Sequence, residues 1–327
     1  MSILYFVVQQ TMFFSIPLLI VALGGMFSER SGVINIALEG IMIFGAFTGI
    51  LFINTVQEFF RKKYGADVLP SGQLILLLAV LISMTAGVLV SLLHAYASIN
   101  MKADQIISGT AINMLAPAVA IYIARMIRTV QQIPFNNQFR IEKVPLFGDI
   151  PFVGDLLFKN TYITTFIGFL ILIISAVILY KTRFGLRLRS CGEHPQASDS
   201  AGINVYNMRY AGVMISGALA GLGGLVFVIP TSTQFNADVS GYGFLALAVL
   251  IFGQWKPRHI LSAAFFFGLM KAISSASSGI PFLSAIHIPT VVYKIIPYVT
   301  TLVVLAFSSK ASQAPRAEGI PYDKGRR

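Results

Sequence analysis

Apolar residues run through this 327-residue chain in long blocks, and polar residues are gathered at the seams between them. Residues 1–28, 160–180 and 210–237 contain no charged side chain. A block of about 20 apolar residues is what a helix needs to cross a hydrocarbon core of roughly 30 Å. The pattern gives nine such blocks, at 4–27, 33–53, 74–97, 105–124, 162–180, 210–230, 239–254, 259–275 and 288–307. The strict alternation of a barrel strand is absent, whereas helices satisfy their own backbone groups in lipid. The expected fold is therefore all-α, a polytopic membrane protein of about 8–10 transmembrane helices. Block 239–254 is short, and is read as a full but irregular crossing.

The seams set the orientation. The loop 181–209 carries Lys181, Arg183, Arg187, Arg189 and Arg209 against Glu193 and Asp199, and its Ala/Ser-rich stretch after Gly192–Pro195 can form a small helix. Five more basic residues lie in the tail 310–327, and Lys256 and Arg258 mark a third basic turn. The long loop 129–160 instead balances Arg140, Lys143 and Lys159 against Glu142, Asp149 and Asp155, and its prolines suggest an ordered, non-helical cover. Basic loops face the cytoplasm, which puts 181–209 and the tail inside, 129–160 outside and the N-terminus outside. Arg61, Lys62 and Lys63 then lie outside, against the rule. The domains read as a membrane domain, 1–309, and a basic cytoplasmic tail, 310–327. The first block lacks a basic leading region and a small-x-small site, so it is not expected to be a cleaved signal.

Composition sharpens this picture. The chain is 56% hydrophobic and 11% charged, with mean hydropathy +0.76. Its net charge of +11 suits loops facing anionic lipid headgroups better than nucleic acid. The single cysteine, Cys191, permits no internal disulfide, and the four histidines show no metal-ligand spacing. There is no Gly-Lys dipeptide, hence no phosphate-cradling Walker loop, and no serine elbow or carboxylate dyad. No catalytic, cofactor or metal residues are expected.

Some polar residues fall inside the apolar blocks. Glu39 lies within the second block, with Asn35 four residues earlier on the same helical face. A buried carboxylate either faces a partner or water-filled path or marks a turn at the interface; the sequence leaves both open. Asn113 lies deep in the fourth block, and Gln234 and Phe235 follow the sixth. Asn35, Glu39, Asn113, Gln234 and Phe235 are the candidates for lining a pathway. Lys271 and Lys294 read as snorkelling cations, Trp255 as an aromatic anchor at the membrane edge. Gly45-x3-Gly49 and the run Gly217, Gly221, Gly223, Gly224 read as close helix–helix contacts. A Gly-Gly pair followed by Ile-Phe-Gly in each half hints at an internal repeat.

Taken in order, five segments resemble one family: SERSGVINIALEGIMIFGAF at 28–47, KADQIISGTAIN at 102–113, FGLRLRSCGEHPQASDSAGINV at 184–205, SGALAGLGG at 216–224 and GFLALAVLIFGQWKP at 243–257. They resemble the permease subunits of bacterial ATP-binding-cassette (ABC) importers, in the branch serving simple sugars, nucleosides and branched-chain amino acids. The tail PYDKG at 321–325 and the first and last segments look most like the nucleoside-type permeases. The resemblance implies a multi-pass subunit of the bacterial cytoplasmic (inner) membrane, working with ABC ATPase subunits, a second permease subunit and an extracytoplasmic substrate-binding protein or lipoprotein. ATP is then used by the partner and this chain needs no cofactor. The coupling segment would include Arg183, Arg187, Arg189, Gly192, Glu193, His194, Pro195 and Gly202. Competing expectations are an ABC permease for a sugar such as ribose, and an ion-coupled secondary transporter using Glu39, Lys271 and Lys294.

Overall fold

The computed structural model describes residues 2–65, 71–145, 147–151, 154–276 and 313–324, with isolated positions 292, 295 and 299. The ninth apolar block and Lys294 lie outside the described residues. Four long helices come first: α1 (Ser2–Arg30), α2 (Leu38–Tyr64), α3 (Gly72–Ala95, continued by a wider turn through Asn100) and α4 (Gln105–Arg128). A loop with strands β1 (Ile133–Pro134), β2 (Arg140–Lys143) and β3 (Lys159–Tyr162) leads into α5 (Ile163–Lys181). Two short helices, α6 (Arg183–Glu193) and α7 (Pro195–Ser200), precede α8 (Val205–Thr231), β4 (Gln234–Phe235), α9 (Tyr242–Phe252) and α10 (Pro257–Ala276). Among the described residues, six helices (α1 to α5 and α8) are long and apolar enough to cross a membrane.

The bundle is organised around α8. Its glycines let neighbours approach to backbone contact: a methyl on Gly45 of α2 would run into Gly221, one on Gly217 into Gly87 of α3, and one on Gly223 into Val21 of α1. Lipid tails are as apolar as leucine, so close packing rather than hydrophobicity holds such helices together. Leu81, Leu89, Met114 and Ile173 on α3, α4 and α5 point outward, as side chains facing acyl chains do.

The loop between α4 and α5 is an ordered cover, but it is not free of helix as its prolines suggest: short helical turns form at Phe147–Asp149 and Gly154–Phe158. Antiparallel pairs join β1 to β4 and β2 to β3. The end of α2 is tied beneath it, where Asn54 Nδ2 donates to the Pro134 carbonyl (2.8 Å) and Gln57 Nε2 to that of Asn136 (2.8 Å). This end is the loop face, and Arg61–Lys63 belong to it. The opposite end, carrying α6 and α7, is the basic face.

Three sequence expectations change. Residues 31–37 are not helical; α2 starts only at Leu38, so Asn35 and Glu39 do not share a helical face. The run containing Arg183, Arg187 and Arg189 is a full helix, α6, whose start is capped by Thr182 Oγ1 accepting from Gly185 N. Arg209 is buried within α8 rather than lying in a loop.

Candidate functional site

Two interruptions meet inside the bundle. From the basic face, residues 31–37 lead from α1 to α2 as two turns around a short irregular stretch. Asn35 Nδ2 donates to Ser216 Oγ (2.9 Å), which lies about 16 Å along α8 from its first residue. From the loop face, the chain after β4 descends to Gly241 and Gly243, where α9 begins. Trp255, just past α9, emerges beside Glu29 and Arg30 at the basic face. Block 239–254 holds only the 11-residue helix α9, entered through turns at Ala237 and Ser240–Gly241, and with its flanks it joins the loop face to the basic face irregularly.

Glu39 joins the two interruptions. Its Oε1 accepts from Gly241 N (2.9 Å) and its Oε2 from Gly243 N (2.6 Å). The first amides of a helix have no intrahelical acceptor and carry the positive end of its dipole, so a carboxylate is well placed there. Gly241 has a φ of +74°, and a methyl on Gly243 would meet the Glu39 backbone; the Gly-Tyr-Gly sequence is what permits the approach. Asn113 does similar work for α2. Its Oδ1 accepts from Gly40 N (2.7 Å), and its Nδ2 donates to the Ile36 carbonyl (2.9 Å).

Gln234 and Phe235 lie elsewhere, on a cavity of about 420 Å³ opening toward the loop face. Gln10 and Phe14 of α1, Phe227 of α8, Asp238 and Lys271 of α10 complete its principal walls. Phe235 is buried with its ring tilted toward Phe47, centroids 6.3 Å apart. Phe227 lies against Tyr242 at 4.0 Å, and Lys271 Nζ sits 5.9 Å from the Tyr242 ring centroid. The five candidate lining residues thus fall into two groups. Asn35, Glu39 and Asn113 fasten broken backbone, while Gln234 and Phe235 face open volume. Gln10 and Asp238 escaped the sequence reading because nothing local marks them as neighbours. Lys271 faces this cavity from an interior position on α10, although sequence alone suggested a snorkelling cation.

At the basic face, Arg183 and Arg187 are exposed on α6, and Arg189 stacks on the Tyr180 ring (5.0 Å to the centroid). Gly192 is buried, since a methyl there would strike the Arg30 carbonyl. Glu193 approaches Arg30 at 3.6 Å. His194 Nδ1 accepts from Ala197 N (3.3 Å) and caps α7, with Pro195 as its first residue. Gly202 takes a φ of +79° in the turn before α8. The Cys191 thiol is pushed up by burial, which makes it a poor nucleophile. Trp255 is not a membrane-edge anchor: it is 3% exposed and its indole N–H donates to the Glu29 carboxylate.

A family model described as branched-chain amino acid transport system / permease component matches residues 7–305. The guanosine ABC transporter permease protein NupQ of Bacillus subtilis is 45% identical over 100% of this chain and 99% of its own length. The nucleoside ABC transporter permease protein NupC of Lactococcus lactis is 38% identical over 99% of this chain and 98% of its own. A putative glucose ABC transporter permease protein of Haloferax volcanii, TsgC13, is 26% identical over 91% of this chain and 90% of its own. No solved structure matches the chain. With full-length likeness to such permeases and a bundle of membrane-crossing helices, this multi-pass membrane protein belongs to the family of ABC transporter permease components.

Proposed function

We propose that this permease subunit imports nucleosides across a bacterial cytoplasmic membrane, with the basic face inward. The observation that carries the solute class is the capped start of α9. An open half-helix N-terminus beside a cavity attracts the carboxylate of an amino-acid solute. Here Glu39 already occupies that place. The nearby cavity offers the amides of Gln10, Gln234 and Asn236 and the rings of Phe14, Phe227 and Phe235. Such a lining suits a neutral solute with a planar base and hydroxyl groups. The names of the guanosine and nucleoside relatives support the same choice.

In this reading Gln234 and Phe235 line the pathway, and Asn35, Glu39 and Asn113 hold its walls. Residues 1–309 form the membrane domain, with 129–160 outside and 181–209 inside, and 310–327 form the inner tail. Arg183, Arg187, Arg189, Gly192, Glu193, His194, Pro195 and Gly202 belong to the surface that meets an ABC ATPase subunit. ATP is bound and hydrolysed by that partner; this chain supplies no nucleotide site of its own. A second permease subunit completes the pathway, and an outer binding protein or lipoprotein delivers the solute. Closure of the ATPase pair pushes α6 and α7 and rocks the bundle between outward- and inward-open states.

A simple sugar such as ribose is the second reading, supported by the likeness to the putative glucose permease. Uptake of labelled nucleosides and ribose by cells with and without the gene separates the two. Nucleoside uptake lost on deletion with ribose uptake intact is the expected result; the reverse overturns the solute class.

A further inference from the structure

Residues 313–323, which include the start of the family-like tail PYDKG, touch α6, α8 and the chain just beyond α1, α3 and α9 at the basic face. Gln313 N donates to Gln254 Oε1 beyond α9 (3.0 Å). Ala317 N donates to the Gly192 carbonyl of α6 (2.8 Å), and Gly319 N to the Gly32 carbonyl beyond α1 (3.2 Å). Arg209 of α8 donates through Nη1 to the Ile320 carbonyl (3.0 Å). The Tyr322 ring packs edge-on against Tyr206 of α8, 5.4 Å between centroids, and Asp323 pairs with Lys102 beyond α3 at 3.2 Å. Ala317 and Tyr322 are buried by these contacts, and the tail helps cover Arg209, only 1% exposed.

One contact is of a different kind. The Glu318 carboxyl faces that of Glu29, near the end of α1. Like charges at close range repel, so two facing carboxyl groups disfavour double ionisation. Trp255 donates to Glu29 from the turn after α9, and Arg30 faces both acids from α1. Arg30 in turn faces Glu193 and Arg189 of α6 and Tyr180 of α5.

From this we infer that residues 313–323 are a positioning strap: they fasten α6 to the inner ends of α1, α3, α8 and α9, so that a push on the ATPase-contacting helices moves the spans with them, and the Glu29–Glu318 pair is its clasp. The inference rests on α6 and α7 being the ATPase contact. Without the strap, α6 keeps its packing on α1, α5 and α8 but loses its ties to the chain beyond α3 and α9, and a push on it no longer reaches those spans together. Burial raises the Glu318 carboxyl above its ordinary range. A group raised in the fastened state favours that state when protonated. The strap is therefore tight at low pH and loosens as pH climbs through the raised value.

The test uses the assembled transporter, with its ATPase and membrane partners, in proteoliposomes. Solute moved per ATP hydrolysed is measured from pH 6 to pH 9. In Glu318→Ala, and in a chain ending at residue 312, the ATPase should stay bound and active while solute per ATP falls about tenfold. Glu318→Gln, whose amide donates to Glu29 and does not titrate, should keep coupling and lose its decline with pH. Unchanged solute per ATP in the truncated chain overturns the strap, and a Glu318→Gln profile like the parent's overturns the clasp. A thiol cross-link between Lys102→Cys and Asp323→Cys needs no weakened fold; it should preserve uptake, and loss of uptake on linking counts against a strap that travels with the spans. The underlying reading fails separately, if Arg187→Ala with Glu193→Ala leaves ATPase association untouched.

Discussion

Glu39 gains its importance from where its two oxygens point. Each accepts a backbone N–H at the start of α9, and hydrogen bonds to a charged acceptor contribute about 1.5–3 kcal/mol each. Glu39→Ala leaves those amides without an acceptor inside the bundle, and is expected to cost about 3 kcal/mol, read as a lower melting temperature in detergent together with weaker uptake. Glu39→Gln keeps one acceptor oxygen and should lose less. The same pair of variants separates this capping role from ion coupling. A proton-carrying carboxylate replaced by Gln would lose uptake at full stability; a cap replaced by Gln loses some stability and keeps uptake. Asn113 is the neutral counterpart, closing the start of α2 with one donor and one acceptor.

At the scale of elements, α6 and α7 present two kinds of residue. Gly192, Pro195 and Leu188 are buried against the bundle, whereas Arg183, Arg187 and His194 face outward. In the proposed assembly the outward set is the one offered to the ATPase subunit, and Glu193 is shared between the surface and Arg30. Replacing Arg187 and Glu193 together by Ala should reduce copurification of the ATPase and reduce uptake, with insertion into the membrane unchanged; normal uptake by the double variant would rule out docking there. Much of this level was legible in the sequence. Blocks without charge gave α1, α5 and α8, Gly45 and the run from Gly217 gave the tightest helix contacts, and the Pro-rich 129–160 gave an ordered cover. What the sequence hid depends on distant partners. The break at 31–37 looks apolar enough to be helix, and only the amides of Gly241 and Gly243, some 200 residues away, explain Glu39. Trp255 reads as an anchor until Glu29 is seen beside its indole N–H. The tail reads as a soluble end until its backbone is found bonded to Gly192 and Gly32.

For the molecule as a whole, both faces carry paired and unpaired cations, but the α4–α5 loop is close to charge-balanced while α6 is not. On the loop face, Arg128 pairs with Glu58, Lys143 with Asp149 and Lys159 with Asp155. On the basic face, Arg183 and Arg187 are exposed and have no ion pair among the described residues. Unpaired cations hold a loop on the cytoplasmic side, next to anionic headgroups; paired ones carry little net charge to oppose translocation. In the proposed orientation Arg61, Lys62 and Lys63 are on the outer face despite their sign, because α2 is tied to the balanced cover there. The native cysteine makes the orientation measurable. Cys191 is buried and its thiol is pushed up, so it should react slowly with a maleimide at pH 7 and give little background. A membrane-impermeant maleimide should then label Lys62→Cys on intact cells, and Asp199→Cys only in inverted vesicles. The opposite pattern would turn the bundle over and place α6 and α7 where no ATP-driven partner could reach them. The pattern expected here leaves the exposed arginines, the tail and its carboxyl clasp all on the side where ATP is spent.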